Sequence, residues 1–214
     1  YQKIGKYNLA VENYEKAIAI DSTNRDLFLA FGESLGKNSQ INEAQGAYQK
    51  ALEIDPQSTT AMLGLANTYL KDNQSDLAIQ EYKNILSIDN KNIEALIKLG
   101  NIYKNKLNTK EATIYYTQAL QIDPDNLNAA FNLGLTYAEM GNLKQAESYY
   151  RDVIRINPDF PHVYYALGLL NEKQRKYANA LKNYEKFIFL APEDENATNV
   201  QFRIELIQDK LKTR

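Results

Sequence analysis

Few side chains in this sequence could do chemistry, and their spacing decides which chemistry is open. Residues 32–37 read Gly-Glu-Ser-Leu-Gly-Lys, the residue types of a phosphate-binding loop. Such a loop needs four residues between its glycines and a Ser or Thr after the lysine to hold magnesium. Here three residues separate Gly32 from Gly36, and Asn38 follows Lys37. The segment also falls in a helical pattern and follows no strand, so no nucleotide site is expected. His162 is the single histidine, and the chain has no cysteine. That excludes a two-histidine metal site, a thiolate ligand, a thiol nucleophile and a disulfide. The carboxylates Asp123 and Asp125 flank Pro124 at a helix end and read as turn and cap residues. No catalytic residue, metal ligand or cofactor is assigned.

What recurs instead is packing and binding chemistry at a fixed period. The chain holds 16 tyrosines, and most stand 34 residues from another. Aligning the stretches that begin at Arg25, Thr59, Ile93, Leu127 and Pro161 puts the same residue types in the same columns. The eighth column is Gly32, Ala66, Gly100, Gly134 and Gly168; the twentieth is Ala44, Ala78, Ala112, Ala146 and Ala180. The twenty-fourth is Tyr48, Tyr82, Tyr116, Tyr150 and Tyr184. Apolar residues within a unit recur at helical spacing in two runs, such as Ile93, Leu96, Leu99, Tyr103 and then Ala112, Tyr116, Ala119. An I-D or I-N pair followed by Pro or Asn closes each second run, because proline cannot continue a helix. Small residues in columns eight and twenty let two helices cross closely, with the column twenty-four tyrosine beside them. No unit of this size buries its apolar stripe alone, so units stack.

These columns resemble the tetratricopeptide repeat, which has a 34-residue period and the pattern W-x2-L-G-x2-Y, A-x3-F, A, P. Residues 127–158 match it best, with Leu133, Gly134, Tyr137, Gly141, Ala146, Tyr150 and Pro158 in place. Tyr1, Gly5, Ala10, Tyr14 and Ala17 continue the register backwards. The expected organisation is a truncated repeat over 1–24, five full repeats over 25–58, 59–92, 93–126, 127–160 and 161–194, and a capping helix over 195–214. Departures are local: Ser22 and Asn90 replace the closing proline, and Leu35 and Asn171 replace the late tyrosine of the first helix. The resemblance implies an all-α, right-handed solenoid of antiparallel helix pairs. It also implies a function in binding proteins, with no catalysis.

In proteins with this repeat the first helices line a concave groove that receives a peptide or a partner helix. The inward columns here hold Leu63, Ile97, Phe131 and Tyr165 in column five, and Asn67, Asn101, Leu135 and Leu169 in column nine. Asn132 and His162 flank them. Column five is apolar in every repeat and becomes aromatic toward the C-terminus. If it faces solvent, it marks a partner surface; the alternative is that it packs under a neighbouring helix. Inward asparagines offer both a donor and an acceptor to a peptide backbone. Asn101 and Asn132 match the two asparagines of the family's carboxylate clamp. Its basic positions are Ile97, His162 and Ala166 here, so an acidic chain terminus is not the expected ligand.

Composition narrows the partner further. Net charge is −2 over the chain, and no repeat departs far from neutrality. Nucleic-acid binding needs a clustered basic face, which is missing. With 44% hydrophobic and 24% charged residues, the chain has the balance of an ordered protein, and no run reaches the length of a membrane helix. The expected partner is a protein or peptide. The cytoplasm is the default compartment, with the periplasm or the cell envelope as alternatives. Residues Ala197, Val200, Ile204, Ile207 and Leu211 form one helical stripe, with Phe202 and Leu206 beside it. That stripe reads as a cap, met by Phe187 where other repeats carry a smaller residue; its alternative is docking into another molecule, a route to a homo-oligomer. The main reading is an interaction adaptor. The alternatives are the substrate-recruiting arm of a larger enzyme, such as a glycosyltransferase, and a self-assembling envelope component.

Overall fold

A computed structural model describes residues 2–212, with side chains from Lys6 to Lys212. The described residues form twelve helices and no strand. In order these are α1 (Gln2–Ile20), α2 (Arg25–Lys37), α3 (Ile41–Ile54), α4 (Thr59–Lys71), α5 (Ser75–Ile88) and α6 (Ile93–Asn105). They continue as α7 (Thr109–Ile122), α8 (Leu127–Glu139), α9 (Leu143–Ile156), α10 (Pro161–Lys173), α11 (Tyr177–Leu190) and α12 (Ala197–Lys212). The chain divides into two compact units, residues 1–102 and 103–214. Each is built from antiparallel helix pairs packed on the next pair. No described helix is long and apolar enough to cross a membrane.

The helix boundaries follow from side chains at the repeat period. Asn24, Ser58, Asn92 and Asn126 stand before α2, α4, α6 and α8, and each accepts a backbone N–H from the first turn of its helix. Asp21, Asp55, Asp89, Asp123 and Asn157 follow the second helix of each pair and accept the N–H two residues on. Asp123 and Asp125 are therefore turn residues, and Asp125 adds a 2.8 Å ion pair to Arg155. Residues 32–37 lie inside α2, as the helical pattern requires.

Between the two helices of each full repeat the backbone makes one left-handed residue. These are Ser39, Asn73, Leu107, Gly141 and Arg175, with φ between 58° and 78°. The N–H of the next residue reaches back five residues to a carbonyl at 2.8–2.9 Å in all five turns, closing the helix end. Only Gly141 adopts this conformation without a Cβ penalty. Leu107 carries the penalty with its side chain 84% exposed, so no packing offsets it. Leu107→Gly is expected to stabilise the chain by about 0.5–1 kcal/mol, the left-handed penalty less the extra entropy of an unfolded glycine. Thermal unfolding followed by circular dichroism checks this, and an unchanged or lower Tm would refute it.

The core is periodic as well. All five alanines of column twenty are fully buried, and so are Tyr82, Tyr116 and Tyr184. Cβ atoms added at Gly32, Gly134 and Gly168 would stand 2.9, 2.6 and 2.2 Å from the rings of Tyr48, Tyr150 and Tyr184. The absent side chain is thus the space the tyrosine ring fills. Two further tyrosine columns stack on each other: Tyr103 on Tyr115 at 5.5 Å, and Tyr137 on Tyr149 at 5.6 Å. Tyr7 and Tyr177 lie beneath the ammonium groups of Lys37 and Lys210.

The two ends depart from the repeat. Tyr1 lies outside the described residues, and α1 runs unbroken through Gly5, with no turn where the register would place one. At the other end Val200, Ile204 and Ile207 of α12 are buried against Ala180, Tyr184 and Phe187. Phe187 is fully buried, filling the space between α11 and α12. Phe202 and Leu206 do not widen that stripe; they are 59% and 44% exposed, since they project from the opposite side of the helix.

A candidate binding groove

In the unit of residues 103–214, helices α8, α9 and α10 border an open cavity of about 450 Å³. Phe131 and Leu135 enter it from α8, and Tyr165 and Leu169 from α10. Each pair is spaced i,i+4, which puts both side chains on one helix face. Tyr150 of α9 lines the cavity too, together with Ala138, Leu143, Ala166 and Leu170; Glu139, His162, Lys173 and Asn196 complete the lining. Apolar walls with a few polar groups are what an organic or peptide ligand site offers.

Five residues of the sequence-derived set meet here: Phe131, Leu135, His162, Tyr165 and Leu169. Column five does not stand free in solvent. Leu29, Leu63, Ile97, Phe131 and Tyr165 are all half-buried. Phe131 meets Phe160 edge-on at 5.0 Å and Tyr150 at 6.1 Å. Tyr165 lies 5.4 Å from Phe187 and 6.5 Å from Tyr184. Both rings thus pack against other aromatic side chains and also line the cavity.

The asparagines are differently placed. Asn132 accepts from the Lys104 ammonium at 3.2 Å and donates to the Asn128 carbonyl at 3.0 Å. Both ends of its carboxamide are engaged within the chain. Asn67 lies in the unit of residues 1–102, where its side-chain oxygen accepts the Tyr82 hydroxyl at 2.7 Å. Leu63, Ile97 and Asn101 belong to that same unit and are half-buried there. None of these five residues lines the 450 Å³ cavity. For Asn67 the reason is local: the Tyr82 hydroxyl of its own repeat occupies its oxygen, which sequence columns alone do not reveal.

His162 is exposed, with Nε2 3.3 Å from an Asp194 carboxylate oxygen. The Asn196 backbone N–H, the Asn196 side chain and then His162 hold the Asp194 carboxyl below its ordinary range. This contact ties the turn after α11 to the first turn of α10. On the far side Glu172 accepts both the Tyr184 hydroxyl at 2.8 Å and Arg203 at 2.9 Å, linking α10, α11 and α12. Burial, and then that carboxylate, push the Tyr184 phenol well above its usual value. Among the described residues no group of three or more His, Cys, Asp or Glu side chains could hold a metal ion.

Two contributors went unrecognised in the columns. Tyr150 stands in a packing column and is 1% exposed, yet it also lines the cavity. Phe160 occupies the capping column that holds Asn24, Ser58, Asn92 and Asn126 elsewhere, and α10 begins at Pro161 with no side-chain cap. That break in an otherwise polar column was the available signal: Phe160 gives up the cap to pack on Phe131.

Known families share this architecture. Tetratricopeptide repeat models match residues 36–95 and 106–170, and also 1–24 and 161–194. The chain belongs to the tetratricopeptide repeat family, an α-helical solenoid class. Among solved structures it is similar to pilF of Pseudomonas aeruginosa, at 26% identity over 90% of this chain and 87% of that one, with a TM-score of 0.75. It is similar to MamA at 25% identity over 79% of this chain and 92% of that one, with a TM-score of 0.71. YrrB, described as having an unusual peptide-binding site, is 24% identical over 90% of this chain and 99% of that one, with a TM-score of 0.71. No curated protein sequence matches the chain.

Proposed function

We propose that this chain is a non-catalytic interaction scaffold that holds a polypeptide segment in the groove between α8 and α10. The observation that carries this reading is the cavity itself: about 450 Å³, walled by Phe131, Leu135, Tyr165 and Leu169 from two successive repeats. A partner side chain placed there loses water on several sides at once, which is where aromatic anchors contribute most to binding. The peptide-binding site described for YrrB, whose likeness is one of fold, is consistent with it. The residues proposed to contact the partner are Phe131, Leu135, His162, Tyr165 and Leu169. Leu63, Asn67, Ile97, Asn101 and Asn132 are proposed as secondary contacts.

The test is affinity capture from cell extract with the whole chain, identification of the bound proteins by mass spectrometry, and calorimetry on the partner recovered. Phe131→Ala and Tyr165→Ala are each expected to weaken binding by about tenfold or more while keeping the helical circular dichroism signal. Lys144→Ala, on an exposed position of α9, is expected to leave the affinity unchanged. Alanine variants that bind as the parent does would refute the groove. Hydrolysis or group transfer by the purified chain would refute the scaffold reading.

A further inference from the structure

The hydroxyls of column twenty-four have different fates. Tyr82 donates a hydrogen bond to the Asn67 side-chain oxygen, and Tyr184 donates one to the Glu172 carboxylate. Tyr150 is as buried as these two, at 1% exposure, but its hydroxyl makes no hydrogen bond to any described residue. The cause is in its own repeat. The column-nine position that is Asn67 for Tyr82 is Leu135 for Tyr150, and the position that is Glu172 for Tyr184 is Ala138. Both replacements are apolar, and both line the cavity with Tyr150. Burial, followed by the Glu139 charge, pushes the Tyr150 phenol far above its usual value, so it remains a neutral O–H donor.

The residue is buried, but its hydroxyl oxygen is not sealed in the core, where Gln45 Nε2 is the unpartnered atom among the described residues. A hydroxyl with no partner in the chain, on a residue that lines an open apolar cavity, has its free bond available to a ligand there. The other amides near the cavity are already occupied. Asn132 has both ends engaged, Asn171 donates to the Leu167 carbonyl, and the Asn196 amide donates to Asp194.

Resting on the groove reading above, we infer that the Tyr150 hydroxyl determines the groove's specificity by donating a hydrogen bond to a main-chain carbonyl of the bound segment, next to an apolar side chain seated between Phe131 and Tyr165. The partner is then extended or turn-like at the contact. Carbonyls in the interior of a helix are already bonded within it, and a purely apolar anchor would leave the hydroxyl unmet.

The experiment uses a peptide selected on the full chain from a random-sequence display library, with calorimetry on the parent, Phe131→Ala and Tyr150→Phe. Tyr150→Phe keeps the ring and removes only an oxygen that has no partner inside the chain, so its Tm is expected to equal or exceed that of the parent. Its affinity for the peptide is expected to fall about tenfold, as for loss of one buried hydrogen bond. Phe131→Ala should weaken the same peptide. If Phe131→Ala binds normally, the groove reading fails and this inference with it. If Phe131→Ala binds weakly and Tyr150→Phe binds as the parent, the groove stands and the role of the hydroxyl is overturned. A peptide found by NMR to be helical through the contact would also overturn it.

Discussion

Replacing Phe187 with alanine is expected to destabilise the chain by about 3–5 kcal/mol, the usual cost of emptying a fully buried aromatic site. Phe187 is 0% exposed and sits in one cluster with Ala180, Tyr184, Val200, Ile204 and Ile207. It joins α11 to α12 and also backs Tyr165 at 5.4 Å. In a stack of repeats, stability is a sum of units and nearest-neighbour interfaces, so the loss falls first on the last interface. Urea unfolding followed by circular dichroism should show the midpoint fall sharply. Hydrogen exchange should show α12 losing protection before the helices of residues 25–102. A variant with the parent's midpoint would mean that α12 contributes nothing to the array. If α12 loses protection no earlier than the other helices, the interface is not local to the cap.

The next largest effect is expected at a glycine. Gly168→Val should cost about 1–3 kcal/mol or more, as overpacking of a filled core does. The added Cβ would lie 2.2 Å from the Tyr184 ring, which is fully buried and tied by its hydroxyl to Glu172. The ring cannot swing aside without breaking that bond. Gly46 in α3 is the counterpart: nothing stands within 4 Å of its virtual Cβ. Gly46→Ala should therefore stabilise the chain by up to about 1 kcal/mol, because alanine is the better helix former. Paired denaturation curves check both signs. Equal effects at the two glycines would mean that column eight is not a contact between crossing helices.

The fold and its period were legible in the amino-acid sequence alone. Ala112, Tyr116 and their counterparts recur every 34 residues because each repeat must present the same crossing to the next, and a one-dimensional stack copies its contacts into columns. The end turns at Asp21, Asp55, Asp89, Asp123 and Asn157 were equally readable, since a side chain that bonds the backbone two residues on needs no tertiary partner.

Tertiary structure decided which members of a column are alike in role. Asn67 and Leu135 share column nine, yet one accepts a tyrosine hydroxyl and the other leaves Tyr150 without an acceptor. Phe131 reads as a surface residue by its column and is half-buried because Phe160, from a capping position, lies edge-on to it at 5.0 Å. Asn132 matches a ligand-binding asparagine by type, but a lysine 28 residues away occupies its oxygen. A column records what every repeat must do to stack. A cavity depends on side chains that meet across repeats, and those meetings are set by three-dimensional packing that no single position encodes.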